Sequence, residues 1–246
     1  MNLTFVWAEL LRIVRNKRTV VFSVVMPMLF FFLFSSTRGD PQHSPVYAGL
    51  SVEAYYMVAM GTYAATNALF TSGGRISVER AAGWNRQLRL AGVSGPSYLT
   101  TKVAMAYVTA LPGFIVVLVL ATTTRGVQLP ALRWLGVIAA VLITLAPVAA
   151  LGVLIGYLAK PDSLQPIFGL GSALIAMAGG MFIPIGVFSS GIQDFLRLLP
   201  PYWATYAGRA ALLGHGPGWQ AVLVLSLWTA ALGYLAARAY QRDTAK

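Results

Sequence analysis

Apolar residues fall along this chain in six long blocks, at about 19–36, 47–72, 99–124, 134–158, 164–188 and 219–237. A helix needs roughly 17–25 such residues to cross the hydrocarbon of a bilayer. The pattern therefore predicts six membrane-spanning helices. A shorter element comes first. Leu3, Val6, Leu10, Ile13 and Val14 recur at helical spacing, while Glu9, Arg12 and Lys17 take other faces. Residues 1–18 are expected as an amphipathic helix lying in the membrane interface, and residues 19–246 as a six-span transmembrane domain. The expected fold class is all-α and integral to the membrane.

Two polar stretches interrupt the oil. The first is "ISVERAAGWNRQLRLAGVSGP", Ile76 to Pro96. Projected on one helix at about 100° per residue, Arg75, Glu79, Arg86 and Arg89 share a narrow stripe, with Ala81, Trp84 and Leu88 opposite. Gly83 would cost about 1 kcal/mol inside a helix. The better expectation ends the second span near Ala82, turns at Gly83 and starts a short surface helix at Trp84. The second stretch is 189–218, with Pro200 and Pro201 between apolar pieces too short to span. With the preceding "GGMFIPIG" it reads as a broken or re-entrant segment between the fifth and sixth spans. Irregular backbone at that depth is tolerated only where protein or a water-filled cavity covers it.

Composition agrees with the blocks. Hydrophobic residues make up 57% and charged residues only 10%, against about 25% charge in soluble domains. There are no cysteines, so disulfides and thiolate metal sites are excluded. The first apolar block is too long for a secretory signal and lacks a clean cleavage site, so it reads as a retained anchor. The net charge of +11 invites a nucleic-acid reading, but its distribution does not support one. With both termini inside, only Arg38, Arg125, Arg133, Arg197 and Arg209 of the 18 Lys and Arg fall outside. Arg75, Arg80, Arg86, Arg89 and Lys102 join the inner set. The bias puts both ends in the cytoplasm.

Familiar chemistry is missing. The sequence contains no G-x-x-x-x-G-K-[ST], H-E-x-x-H or G-x-S-x-G, so neither a P-loop ATP site nor an acid–base constellation is expected. His43 and His215 have no third metal ligand at suitable spacing. Glu53 sits near the outer start of the second span and reads as an interfacial carboxylate. Gly152 and Gly156 form a G-x-x-x-G that suits close helix packing within one subunit. Pro27, Pro112, Pro147 and Pro184 interrupt the spans and can kink them. The absence of an internal repeat argues against an inverted-repeat secondary transporter.

Three stretches carry a resemblance. They are "RNKRTVVFSVVMPMLFFFLF" entering the first span, "ERAAGWNRQLRLAGVSGPSYLTTK" after the second, and "GGMFIPIGVFSSGIQDFLRLLPPYWATYAGRAALLG" after the fifth. Together they resemble the membrane subunit of ABC-2 type transporters, which include daunorubicin-resistance-type bacterial drug exporters. The family loop E-R-E-x-G-T-x-x-x-L-x-x-T-P-x-S is matched in kind at Glu79, Arg80, Gly83, Leu88 and Ser94. Ala81 replaces its second acid, and Ala91-Gly92 its Thr-Pro. The resemblance implies a permease that exports a drug, antibiotic or lipid-like molecule across the bacterial cell membrane. It implies a separate ATPase subunit that holds ATP and Mg, and a second permease subunit, identical or paralogous. In this chain no cofactor or metal is expected.

The resemblance also implies site residues. The coupling segment that seats on the ATPase would contain Arg75, Glu79, Arg80, Trp84, Asn85, Arg86 and Arg89. The first, second and fifth spans would line the path, with Phe30, Phe31, Phe32, Phe34, Tyr55, Tyr56 and Met57 as contacts for a lipophilic substrate. Export of a polysaccharide or lipid-linked glycan is the alternative within the family. A non-transport channel or scaffold is the alternative outside it.

Overall fold

A computed structural model of the chain describes residues 17–36, 49–83, 87 and 95–244, and these are helical with irregular connections. No strand occurs among the described residues. The helices are α1 (Lys17–Ser35), α2 (Val52–Ala81), α3 (Gly95–Arg125), α4 (Ala131–Thr144), α5 (Ala146–Leu158), α6 (Leu164–Ala178), α7 (Ser190–Leu196), α8 (Pro200–Leu213) and α9 (Gly218–Thr244). The interfacial helix expected at 1–18 lies outside the described residues except for the start of α1.

Among the described residues, three stretches are long and apolar enough to cross a membrane: Ser97–Arg125, Ala131–Leu158 and Gly218–Asp243. The second joins α4 and α5 across one non-helical residue, Leu145. Pro147, two residues on, cannot donate a main-chain hydrogen bond, and the Tyr107 hydroxyl donates to the Leu142 carbonyl beside the break at 3.1 Å. Pro27 and Pro112, by contrast, sit inside continuous helices. The fifth apolar block does not form one helix. α6 stops at Ala178, and its 15 residues span about 22 Å. Gly180 then takes φ +62°, and Pro184 leads into a 3-10 turn at Ile185–Val187. A side chain at Gly180 would be strained at that φ and would press on Ile185.

The hub is α2. It is long, but Gly, Ser, Thr and Asn dilute its apolarity, and most of its residues are buried. It packs against α1, α3, α5, α6 and α8. Phe31, Tyr55, Met57, Met60, Leu69, Phe70, Phe114 and Met181 fill the core around it. Glycines set its distance from α5. A Cβ at Gly152 would lie 2.7 Å from the Leu69 carbonyl and 2.8 Å from that of Phe70, and one at Gly73 would overlap the Gly152 backbone. The G-x-x-x-G of α5 thus packs inside the subunit, where small residues let backbones meet.

Candidate functional site

Two clusters stand at opposite ends of this bundle. The first is where α2 ends. α2 stops at Ala81 and the chain turns at Gly83 with φ +69°, a value glycine adopts without strain. The turn follows the sequence expectation. The charged stripe projected there turns inward at Glu79. Glu79 is buried, 8% exposed, and so is Lys102 of α3, 7% exposed. Lys102 Nζ donates to Glu79 Oε1 at 2.6 Å, and the Tyr98 hydroxyl donates to Oε2 at 2.6 Å. Projection of one helix could not see this, because the cation arrives from a helix 23 residues along the chain. A carboxylate removed from water needs such partners, and charge-assisted bonds of this length are the strong kind.

Arg80 turns another way. Its Nη1 donates to the carbonyls of Gly156 and Tyr157, and its Nη2 donates to Asp243 Oδ1 at 2.6 Å. The guanidinium also lies 5.4 Å from the Tyr157 ring centroid. Ser77 donates to the Ala159 carbonyl at 2.8 Å. The last carbonyls of α5 lack helical donors and carry the negative end of its dipole, so a cation there is well placed. Beneath these bonds Ile76, Tyr98, Val153, Tyr157 and Ala236 pack into a small apolar cluster. The ends of α2, α3, α5 and α9 are therefore fastened together within two turns of Gly83. We refer to this arrangement as the clamp.

The second cluster is aromatic. Phe30 and Phe34 of α1 lie one turn apart and both face α2. Phe34 stacks on Tyr56 with centroids 5.3 Å apart. Phe182, from the irregular segment after α6, meets Phe30 at 5.5 Å, Tyr63 at 5.0 Å and Phe34 at 6.1 Å. Phe30, Phe34, Tyr63 and Phe182 are only half-buried. Behind them the Gly179–Gly180 turn is held from two sides. Thr205 donates to the Gly179 carbonyl and Tyr55 to that of Gly180. Arg209 lies over the Tyr55 ring, 4.7 Å from its centroid.

The bundle thus joins buried helices, a loop end fastened by charged groups and a half-buried aromatic patch. The description "ABC-2 family transporter protein" matches residues 37–238. The chain belongs to the ABC-2 transporter family. It is also similar to the protein named "Putative transport permease YvfS" of Bacillus subtilis (strain 168), 26% identical over 219 residues that make up 89% of this chain and 88% of that one. ABC-2 permeases are transport subunits, and the apolar helices fit placement in a membrane.

The structure of this ABC-2 permease sorts the expected residues. Glu79 and Arg80 lie in the clamp and point inward, and Arg75 is half-buried on the same helix. Trp84, Asn85, Arg86 and Arg89 lie outside the described residues. Gln87 is described, helical and exposed. Phe30, Phe34 and Tyr56 belong to the aromatic cluster. Phe31, Tyr55 and Met57 sit in the closed core with 0%, 2% and 0% exposure, because their positions on α1 and α2 face neighbouring helices. Sequence reading missed Tyr98, Lys102 and Asp243 in the clamp, and Tyr63 and Phe182 in the aromatic cluster. Lys102 did carry a signal: it is a lone cation inside an apolar block. Phe182 carried none beyond lying in the re-entrant stretch.

Proposed function

We propose that this chain is the six-span permease subunit of an ATP-driven exporter in the bacterial cell membrane, with both termini cytoplasmic. It pairs with a second permease subunit, and a separate ATPase subunit binds ATP and Mg. The substrate is a lipophilic drug, antibiotic or lipid-like molecule. The observation that carries this reading is the clamp. The chain leaves it at Gly83 into the 84–94 segment that resembles the family's coupling loop, so a push on that segment meets four helix ends at once. Arg75, Glu79 and Arg80 then act as the anchor that transmits force, and Trp84, Asn85, Arg86 and Arg89 as the surface that receives it.

The aromatic cluster supports a lipophilic cargo over a glycan. Phe30, Phe34, Tyr56, Tyr63 and Phe182 offer ring surface that can shift to suit different apolar shapes. Affinity purification of the full chain from its native membrane, followed by mass spectrometry, tests the partner assignment. An ABC ATPase should co-purify and its turnover should rise in the complex. If no ATPase is recovered under conditions that keep the bundle folded, the reading is a channel or scaffold instead.

A further inference from the structure

A cavity of about 450 Å³ opens between α7, α8 and the start of α9. Its volume falls in the range of small-ligand sites. It lies about 36 Å along α9 from Asp243 of the clamp. Tyr202 and Tyr206 line it with their rings stacked at 5.9 Å, and Trp203 stands edge-on to both. Trp219, 73% exposed, and Gln220 line the α9 side. Arg197 completes it, its Nη1 held by Asp194 Oδ1 at 3.0 Å. Asp194 itself does not line the cavity. Among the described residues no carboxylate does.

From Trp219 an apolar stripe leads away from this cavity. Val222, Leu223 and Leu227 follow at helical spacing, 57%, 50% and 63% exposed. A cavity whose one charged lining group is a guanidinium, with donors left beside its bond to Asp194, at the head of an exposed apolar stripe, matches an anionic amphiphile. Tyr and Trp favour the level where headgroups meet acyl chains. A guanidinium presents five donors in a fork that fits phosphate oxygens. A cationic headgroup would also suit the rings, but among the described residues no carboxylate lines the cavity to hold it.

We infer that this cavity binds the phosphodiester headgroup of an anionic phospholipid, with its acyl chain along Val222, Leu223 and Leu227. Arg197 contacts the phosphate, and Trp219 covers the glycerol region. The lipid would wedge α7 and α8 against α9 and fix α8, which carries Thr205 and Arg209. The inference requires only that the chain sits in a bilayer; it is independent of what the transporter exports.

The test is native mass spectrometry of the full complex released from nanodiscs of phosphatidylcholine containing phosphatidylglycerol. Wild type should retain phosphatidylglycerol over phosphatidylcholine. Arg197→Gln and Trp219→Ala, both at exposed positions, should each lower that retention by about tenfold while ATPase stimulation by the permease persists. Equal retention of the two lipids by wild type would overturn the inference. So would unchanged retention in both variants. Displacement of the lipid by millimolar inorganic phosphate would instead mark a site for free anions and also overturn it.

Discussion

The two ends of the bundle solve opposite problems with the same helices. At the clamp, α2 meets α3, α5 and α9 through directional bonds: Lys102 and Tyr98 on Glu79, and Arg80 on Asp243 and the α5 carbonyls. At the aromatic cluster, α2 meets α1 through ring faces and edges, and it meets the segment after α6 through the Phe182 ring and one neutral hydrogen bond, from the Tyr55 hydroxyl to the Gly180 carbonyl. Ion pairs hold one geometry or cost heavily when split. Ring contacts tolerate several geometries at nearly equal energy. A bundle built this way is stiff where force would enter and adaptable where an apolar cargo would pass.

The largest break in that contrast should come from Lys102→Met. It leaves the buried Glu79 carboxylate without its cation, which costs about 3–5 kcal/mol, seen as a lower thermal unfolding midpoint in detergent. Adding Glu79→Gln should recover most of the loss, because the uncompensated charge is then gone. A double variant as unstable as the single one would show that shape matters there rather than charge. Next is Gly152→Val, expected to cost about 1–3 kcal/mol or more by overpacking, since the Leu69 and Phe70 carbonyls leave no room for a Cβ. Its control is Gly136→Ala in the same spanning stretch. Nothing lies within 4 Å of a Cβ there, and helix propensity favours alanine by about 1 kcal/mol.

Smaller effects on stability should fall at the soft end. Phe182→Ala removes the ring common to Phe30, Phe34 and Tyr63, and each lost aromatic pair is worth about 0.5–1.5 kcal/mol. Much of that is recovered by rearrangement, so unfolding should move little while the ranking of exported compounds changes. Arg80→Gln gives up a partly exposed ion pair with Asp243 and the bonds to the Gly156 and Tyr157 carbonyls, about 1–2 kcal/mol together. Its effect should appear in function: ATP turnover persists while export falls.

Much of this was readable from residue order. The turn at Gly83 followed from one glycine inside a charged helical stretch, and the intrasubunit use of Gly152 and Gly156 from their spacing. The resemblance in the three quoted stretches pointed to the family that the comparison then showed. The orientation of Glu79 was not readable. A helical wheel places Glu79 relative to its own helix, whereas burial depends on which helix arrives beside it, and here that helix brings Lys102. The fate of Phe31, Tyr55 and Met57 was hidden for the same reason. Aromatic and sulfur side chains in a membrane helix look alike whether they face a core or a path. The course of the fifth block was only partly readable, for a different reason. Apolarity continues through 179–188, but the helix stops at Ala178, and Gly180 and Pro184 carry the rest as irregular backbone.

The central claim is that the clamp passes motion at the 84–94 segment on to the aromatic end. Because the chain has no cysteine, Val78→Cys and Leu33→Cys, both at exposed positions, place one spin label near each end without removing native thiols. The measurement is the distance between those labels by pulsed electron paramagnetic resonance in proteoliposomes containing the partner ATPase, with and without ATP and vanadate. The distance distribution should shift on nucleotide trapping in the otherwise wild-type chain, and the shift should be lost when Arg80→Gln and the Glu79→Gln, Lys102→Met pair are added. An undiminished shift with the clamp dismantled would contradict the claim.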